Sequence, residues 1–430
     1  MTEIDIFPKI PGIEGEYVTV RPVLACGPGV YQIPIDGVEK KEYLEYLDTL
    51  EKNEYIKVVD NGDGLGRCVF TTIYTKASFL LTVTYMERQR RLYLAVGQDI
   101  PISEYLFKNE VLDEENRLEK TRVHMPELWW FGSSFILQLK NGHFVISDGG
   151  LQSDAKYLVD YLESLVPKGE KPIIEAWTIT HAHADHCGVI EAFSGNKELG
   201  ARLCVESIIF SEPGESVHRK FTAGLQDIAA MKRAVAKSFY NAEGKHPKIY
   251  RPQTGQRYYF DDVTMDVVHC QEQLPVEQYE CQDYAGDYND SSTWYLFTIE
   301  GQKFLITGDG DVGSMKVVMD TYERDFFKVD LMTIPHHGHN TWDKFTDYCE
   351  VKTLIVTGRD NLLPTKRETQ NAYLYTQVEE WIAGWGDGSK IFTFPYKKGE
   401  YETLPNREWI YHEGQERRQA PGSCAMLETK

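Results

Sequence analysis

The chain has 430 residues, 42% of them hydrophobic and 26% charged, ordinary values for a folded protein long enough for two domains and a large core. Its 66 acidic against 46 basic residues leave a net charge of −20, a field that opposes long polyanions and makes nucleic acid an unfavourable partner. No stretch approaches the ~20 apolar residues of a membrane span. The N-terminus has neither a basic start nor an apolar core of the signal-peptide kind. The eight cysteines include no Cys-x-x-Cys pair and read as reduced thiols, so a cytoplasmic protein is expected.

In chain order, residues 1 to about 115 read as a small α+β unit. Lys41 to Leu50 carries Tyr43, Leu47 and Leu50 on one helical face. Cys68 to Thr75, Ser78 to Met86 and Arg91 to Val96 alternate apolar and polar residues, the strand pattern. The basic group Arg88-Gln-Arg90-Arg91 falls in the turn between two of these strands, and Arg417-Arg418 is the other dense one. Neither forms a stripe near the motifs discussed below. This unit shows no catalytic constellation, and packing at a site entrance or contacts within a homo-oligomer are the roles open to it. The acidic run Glu110 to Glu119 reads as a solvated connector.

Residues 120–430 alternate strands and helices as expected of a sheet sandwich covered by helices. Gly132 to Lys140 and His143 to Asp148 form a hairpin turned at Asn141-Gly142. Leu158, Tyr161, Leu162 and Leu165 mark one amphipathic helix, Leu225, Ile228, Val235 and Phe239 a second, and Leu374, Val378, Trp381 and Trp385 a third. The helical insertion at about 212–245 is a candidate lid or a structural decoration. Trp129-Trp130 precedes the first strand and is either core packing or an aromatic wall.

The chemistry concentrates in Thr180-His181-Ala-His183-Ala-Asp185-His186-Cys187-Gly188, which follows the apolar strand Ile173 to Ile179. In a turn leaving a strand, His181 and His183 can face one metal ion, while Asp185 and His186 reach a second about 3.5–4 Å away. Imidazole and carboxylate donors suit zinc, and also manganese or iron. A histidine-rich surface turn is the bland alternative. Cys187 reads first as a small buried residue starting a helix.

This run resembles the His-x-His-x-Asp-His signature of the metallo-β-lactamase superfamily, and further segments extend the resemblance. Phe144-Val-Ile-Ser-Asp148-Gly-Gly150 matches the strand ending in Asp-Gly, and Phe304-Leu-Ile-Thr-Gly308-Asp309 the segment supplying a bridging carboxylate. Ile334-Pro-His336-His337-Gly338 matches the last histidine ligand, with His337 favoured over His336. The histidine usual between these segments is missing. Asp287-Tyr-Asn289-Asp290-Ser-Ser292 stands there, which is similar to the branch containing the hydrolase domain of competence DNA-uptake proteins.

The resemblance implies an αββα sandwich and a metal-dependent hydrolase with two divalent ions. It assigns the first ion His181, His183 and Asp309 with Asn289 or Asp290, and the second Asp185, His186, Asp309 and His337, with Asp148 orienting ligands from behind. His269, ending the strand Val263 to Val268, is an alternative ligand. Asp185 would orient a metal-activated hydroxide, and His339, or whichever of His336 and His337 is not a ligand, would protonate the leaving group. A small phosphodiester or phosphonate substrate ranks first, a lactone, ester or amide second. With one ligand missing, a degenerate metal-binding interaction protein is the reading from another class.

Overall fold

The computed structural model describes residues 24–25, 30–108, 117–212, 225–270, 288–339, 342–357, 378–384 and 388–405. These form a mixed α and β structure with three sheets. Val30–Asp36, Ile56–Asp60, Val69–Lys76, Phe79–Met86 and Arg91–Gln98 make an antiparallel sheet, with Leu24–Ala25 at its edge. Helix Lys40–Lys52 lies on it because Tyr43, Tyr46 and Leu50 recur at helical spacing, and this stripe packs on Tyr74, Leu81, Val83 and Tyr85. Glu42 caps its first turn by accepting the Glu39 N–H at 2.8 Å.

The other two sheets pack face to face. One runs in the order 248–250, 207–210, 173–179, 144–148, 134–138, 122–125, 390–393 and 401–403, with Cys204–Val205 also paired to 173–179. Its partner runs 257–260, 263–269, 294–299, 302–306, 331–333, 353–356 and 380–383. Alternation along each strand decides the layers. In Phe144–Asp148, Val145 points into the core between the sheets, while Phe144 and Ile146 point outward. In Gln302–Ile306, Phe304 and Ile306 face inward and Leu305 outward.

Strands buried on both faces explain why these segments read as continuous apolar runs. Outside the first sheet, helices Ala155–Ser164, Ala184–Ala192 and Leu225–Lys237 cover Trp177 and Ile146. Helices Val312–Thr321 and Asp343–Cys349 cover the second through Met315, Val318 and Phe345. The order is helix, sheet, sheet, helix, and truncating a central aromatic such as Phe304 to alanine would cost ~3–5 kcal/mol.

Two expectations change. The segment expected as a helix over Leu374 to Trp385 is, where described, the strand Glu380–Ala383, parallel to Thr353–Val356; Leu374 and Trp385 lie outside the described residues. Trp381-Ile382-Ala383 continues a parallel sheet with Ile382 inward and Ala383 outward, and a short buried run of this kind carries no period that separates strand from helix. Within the insertion at about 212–245, helix Leu225–Lys237 is a covering helix of the sandwich. Ile228, Met231, Ala234 and Val235 pack with Phe193, Phe239 and Trp177, so it belongs to the core and not to a lid. Residues 213–224, and most of the acidic run at 110–116, lie outside the described residues.

The N-terminal sheet is docked on the sandwich by apolar packing, with Ile73 in the core that holds Tyr258 and with Val69 and Tyr93 in the one that holds Val268 and Trp294, and by polar bonds. Gln32 Nε2 donates to Gln253 Oε1 at 3.0 Å, and the Thr71 and Thr84 hydroxyls donate to Thr254 O at 3.2 and 3.3 Å. Gly255 permits this approach: its φ is +92°, and a Cβ there would stand 2.1 Å from Thr71 Oγ1. In the basic turn at 88–91, Arg88 donates to Met319 O at 3.2 Å and Gln89 to Thr321 Oγ1 at 2.7 Å, while Arg90 pairs with Glu39 and Arg91 with Asp36 inside the N-terminal unit.

Candidate metal centre

Five strands end at one edge of the sandwich. Phe144–Asp148 is parallel to Ile173–Ile179, and Gln302–Ile306, Leu331–Thr333 and Thr353–Val356 are parallel to one another. Their carboxyl ends deliver Asp148, His181, Asp309, His337 and Thr357 to one place, the usual location of a site in parallel sheets. His183 stands in extended conformation before helix Ala184–Ala192, which puts Asp185 and His186 in the first turn. Gly308, at φ +52°, is the close-approach position: a Cβ would lie 2.7 Å from Thr180 Cβ.

The donors converge in two groups that share Asp309. Asp185, His186, Asp309 and His337 offer atoms within 4.8 Å of one another, and so do His181, His183 and Asp309. Asp309 Oδ1 lies 3.0 Å from His186 Nε2 and 3.3 Å from His337 Nε2, while its Oδ2 lies 3.8 Å from His181 Nε2. Asp185 Oδ2 is 3.2 Å from His337 Nε2. One carboxylate therefore turns one oxygen to each group, the disposition a bridging ligand needs.

Each ring is aimed by what its other nitrogen holds. His186 Nδ1 lies 2.8 Å from Asp148 Oδ2, whose carboxylate also accepts from Thr180 N at 2.8 Å and Thr180 Oγ1 at 2.9 Å. His337 Nδ1 lies 2.9 Å from Thr357 Oγ1. Donation from Nδ1 leaves each Nε2 lone pair facing the other donors. His186 Nε2, His337 Nε2 and Asp309 Oδ1 are buried and close together, yet none makes a hydrogen bond of acceptable geometry. Buried polar atoms are almost always satisfied, and three that converge on one point fit a metal ion.

Charge gives the same answer. Asp148 and Asp309 are 1% and 3% exposed, and among the described residues no lysine or arginine forms an ion pair with them or with Asp185. Buried carboxylates without a cation cost several kcal/mol each. In the metal-free protein the compensation falls on the histidines. Burial alone would lower the His337 pKa, but Asp309 and Asp185 push it up to about 9. His186 is likewise raised, with Asp309 and Asp148 outweighing burial. His181, penalised by burial and by the neighbouring His186 and His183, is lowered well below the usual histidine value. Burial opposes ionisation of Asp309, yet His337 and His186 hold it well below the carboxylate range.

The remaining expected residues separate. His336 and His337 both adopt left-handed backbone, φ 48° and 49°, which sends their rings apart. His336 Nδ1 lies 3.0 Å from Asp311 Oδ1, and its Nε2 lies 3.1 Å from Asn289 Nδ2. Asp290 accepts from Ser314 Oγ at 3.2 Å, which ties it to helix Val312–Thr321. Ser292 Oγ accepts the Asp309 N–H at 3.1 Å and fixes the backbone at that carboxylate. His269 is buried edge-on to Trp294 at 5.7 Å and belongs to neither group, since its strand end packs into the second outer layer. His339 lies beside Phe131 and His336, at 5.7 and 5.2 Å between ring centres. Cys187 is buried in the outer core and its thiol donates to Glu191 Oε1 at 3.0 Å.

Thr357, Asp311 and Phe131 are the residues that sequence reasoning missed. Phe131 stands 5.3 Å from the His337 ring and 5.5 Å from Trp130, so the aromatic surface beside the centre is presented by the residue following the Trp pair. Five cysteines are described, and all are free thiols.

No protein-family model matches the chain, and no curated protein matches it by sequence. Solved structures similar to it include Zn(2+)-bound PqqB from Methylobacterium extorquens, with 9% identity over 63% of this chain and 99% of that one and a TM-score of 0.39. Another is Tm1679, described as a metal-dependent hydrolase of the beta-lactamase superfamily, with 11% identity over 63% of this chain and 98% of that one and a TM-score of 0.36. Likeness at this level carries no function, so the metal reading rests on the side chains themselves. No helix among the described residues is long and apolar enough to cross a membrane.

Proposed function

We propose that the chain is a metal-dependent hydrolase of the metallo-β-lactamase type with a two-ion centre, zinc being the first choice of metal. The observation that supports this best is the convergence of His186 Nε2, His337 Nε2 and Asp309 Oδ1 on one buried point without hydrogen bonds. Asp185, His186, Asp309 and His337 would hold one ion, and His181, His183 and Asp309 the other, with Asn289 as a further oxygen donor. Asn289 is preferred to Asp290 because Asp290 is engaged by Ser314. Two divalent ions held there supply Lewis acidity and a hydroxide nucleophile at neutral pH.

The chain's own residues do the rest. Asp148 and Thr357 keep His186 and His337 in the tautomer that presents Nε2. Asp185, a quarter exposed, lies at the open side of the centre and orients the attacking oxygen. His339, in the turn beyond His337, delivers the proton that the leaving group needs. Residues 1–115 form the accessory unit of a catalytic domain spanning 120–430, and the docking of the N-terminal sheet through shared core packing and hydrogen bonds supports an accessory role in place of separate chemistry.

The substrate class is a small phosphodiester. The net charge of −20 opposes long polyanions, whereas a compact monoanion is drawn by the local cationic centre. A lactone, ester or amide is the second reading, favoured by Phe131 and Trp130, which place an apolar wall beside His337. A panel of bis-nitrophenyl phosphate, simple lactones and a β-lactam decides between them. Phosphodiester turnover above the others is expected, and lactone turnover well above phosphodiester turnover would reverse the order.

A further inference from the structure

Beside the two donor groups lies a chain of three buried or nearly buried polar side chains: Asp311, His336 and Asn289. Asp311 is fully buried, and Asn289 is 4% exposed. His336 joins them, with Nδ1 3.0 Å from Asp311 Oδ1 and Nε2 3.1 Å from Asn289 Nδ2. We infer that Asp311 and His336 are positioning residues that set which end of the Asn289 amide faces the metal centre.

The chemistry of the three groups fixes the polarity. A carboxylate only accepts, so Asp311 takes the Nδ1–H of His336. Asn289 Nδ2 is the amide atom that faces Nε2, so the ring meets it with a lone pair there. Of the two ends of the Asn289 amide, that lone pair selects the NH2 group and turns the carbonyl oxygen the other way. An amide rotated by 180° would set oxygen lone pairs against the ring lone pair.

The backbone holds this arrangement to the centre on both sides. His336 N donates to Gly308 O at 3.2 Å, next to Asp309. Ser292 N donates to Asn289 O at 3.0 Å, Ser292 Oγ accepts from Asp309 N at 3.1 Å, and Thr293 N donates to Thr180 O at 2.8 Å, next to His181. The turn carrying Asn289 is thus pinned between the backbone preceding His181 and that of Asp309. The doublet of histidines divides the labour: His337 enters the shared donor group, and His336, sent the other way by two consecutive left-handed residues, holds the amide. An unfavourable conformation at two adjacent non-glycine residues is retained because both rings are used.

This inference rests on Asn289 being the oxygen donor of the His181, His183 and Asp309 group, and its test separates the two claims. Zinc is titrated calorimetrically into the metal-free full-length protein and into three variants, with folding checked by thermal melting. Asp311→Ala removes the acceptor that holds the ring proton on Nδ1, so the ring can carry its proton on Nε2 and call for the Asn289 oxygen. It should weaken the weaker zinc step by about tenfold or more and leave the tighter step in place. His336→Ala should do the same. His336→Gln restores the polarity, with its NH2 donating to Asp311 and its oxygen accepting from Asn289, and should titrate like the parent.

Nitrogen NMR of the His336 ring adds a readout independent of metal, with the proton on Nδ1 in the parent and shifted towards Nε2 in Asp311→Ala. Asp311→Ala matching the parent in both measurements, or His336→Gln as weak as His336→Ala, would overturn the relay. A parent protein with a single zinc step would instead overturn the two-ion reading on which the relay depends.

Discussion

The two halves of the centre are built to different standards. In the half containing Asp185, His186 and His337, four His or Asp donors converge, and both rings are braced from behind by Asp148 and Thr357. The half containing His181 and His183 has three such donors counting the shared Asp309, and His183 is half-buried and lies 3.0 Å from its own neighbour, His181. Donor number and bracing both raise affinity, so the Asp185, His186 and His337 half should hold its ion tightly and the His181 and His183 half should exchange it. A looser, more open ion is also the one that leaves room for a substrate oxygen.

The largest effect is expected where the halves meet. Asp309→Ala removes the carboxylate that faces both groups, and metal content and hydrolysis should fall to background while the circular dichroism spectrum is kept. Full metal content with normal turnover in this variant would disprove the bridging assignment. Asp148→Asn comes next: it replaces the acceptor that fixes His186, and should weaken the tight step by roughly 10–100-fold while sparing the other. Thr357→Val removes one of two acceptors near His337 Nδ1, since Thr357 O also lies 3.1 Å away, so a loss of only about tenfold or less is expected in the same titration.

The pH dependence separates the metal-free from the loaded state. A His337 pKa raised to about 9 above an ordinary 6.5 stabilises the metal-free fold below pH 6.5, and that contribution is lost as pH rises through 9. Metal-free protein should therefore melt at lower temperature at pH 9 than at pH 6.5, whereas zinc-loaded protein, its protons already displaced, should not. Identical pH trends for the two forms would count against His337 being a ligand. The smallest effect is expected from Asn289→His, which supplies a nitrogen donor to the looser half. It should tighten that step alone, with turnover unchanged or lowered.

How much of this was legible in the sequence depended on how local each feature is. His181, His183, Asp185 and His186 lie within six residues, so one strand end and one helix start bring them together, and spacing alone suggests it. Asp309 and His337 were legible because each follows an apolar strand, and parallel pairing aligns such ends. Thr357 also follows a strand in that same series, but a lone threonine carries no motif, and only the register of the second sheet puts it behind His337. The His336 role was hidden by backbone conformation: nothing in Pro-His-His-Gly shows that both histidines are left-handed and diverge. The strand Glu380–Ala383 was misread as part of a helix because aromatic and aliphatic residues there happened to recur at helical spacing. The docking of the N-terminal sheet through Gln253 to Gly255 rests on contacts about 180 to 220 residues apart and left no local trace.

The measurement that bears most directly on a two-ion centre of unequal halves is metal content per chain, followed with phosphodiester turnover, as a chelator is increased. Two ions per chain leaving in two separate steps, with turnover falling as the first departs, is the predicted result. Fewer than one ion per chain with no turnover after adding zinc or manganese, or two ions lost together in a single step, would contradict it.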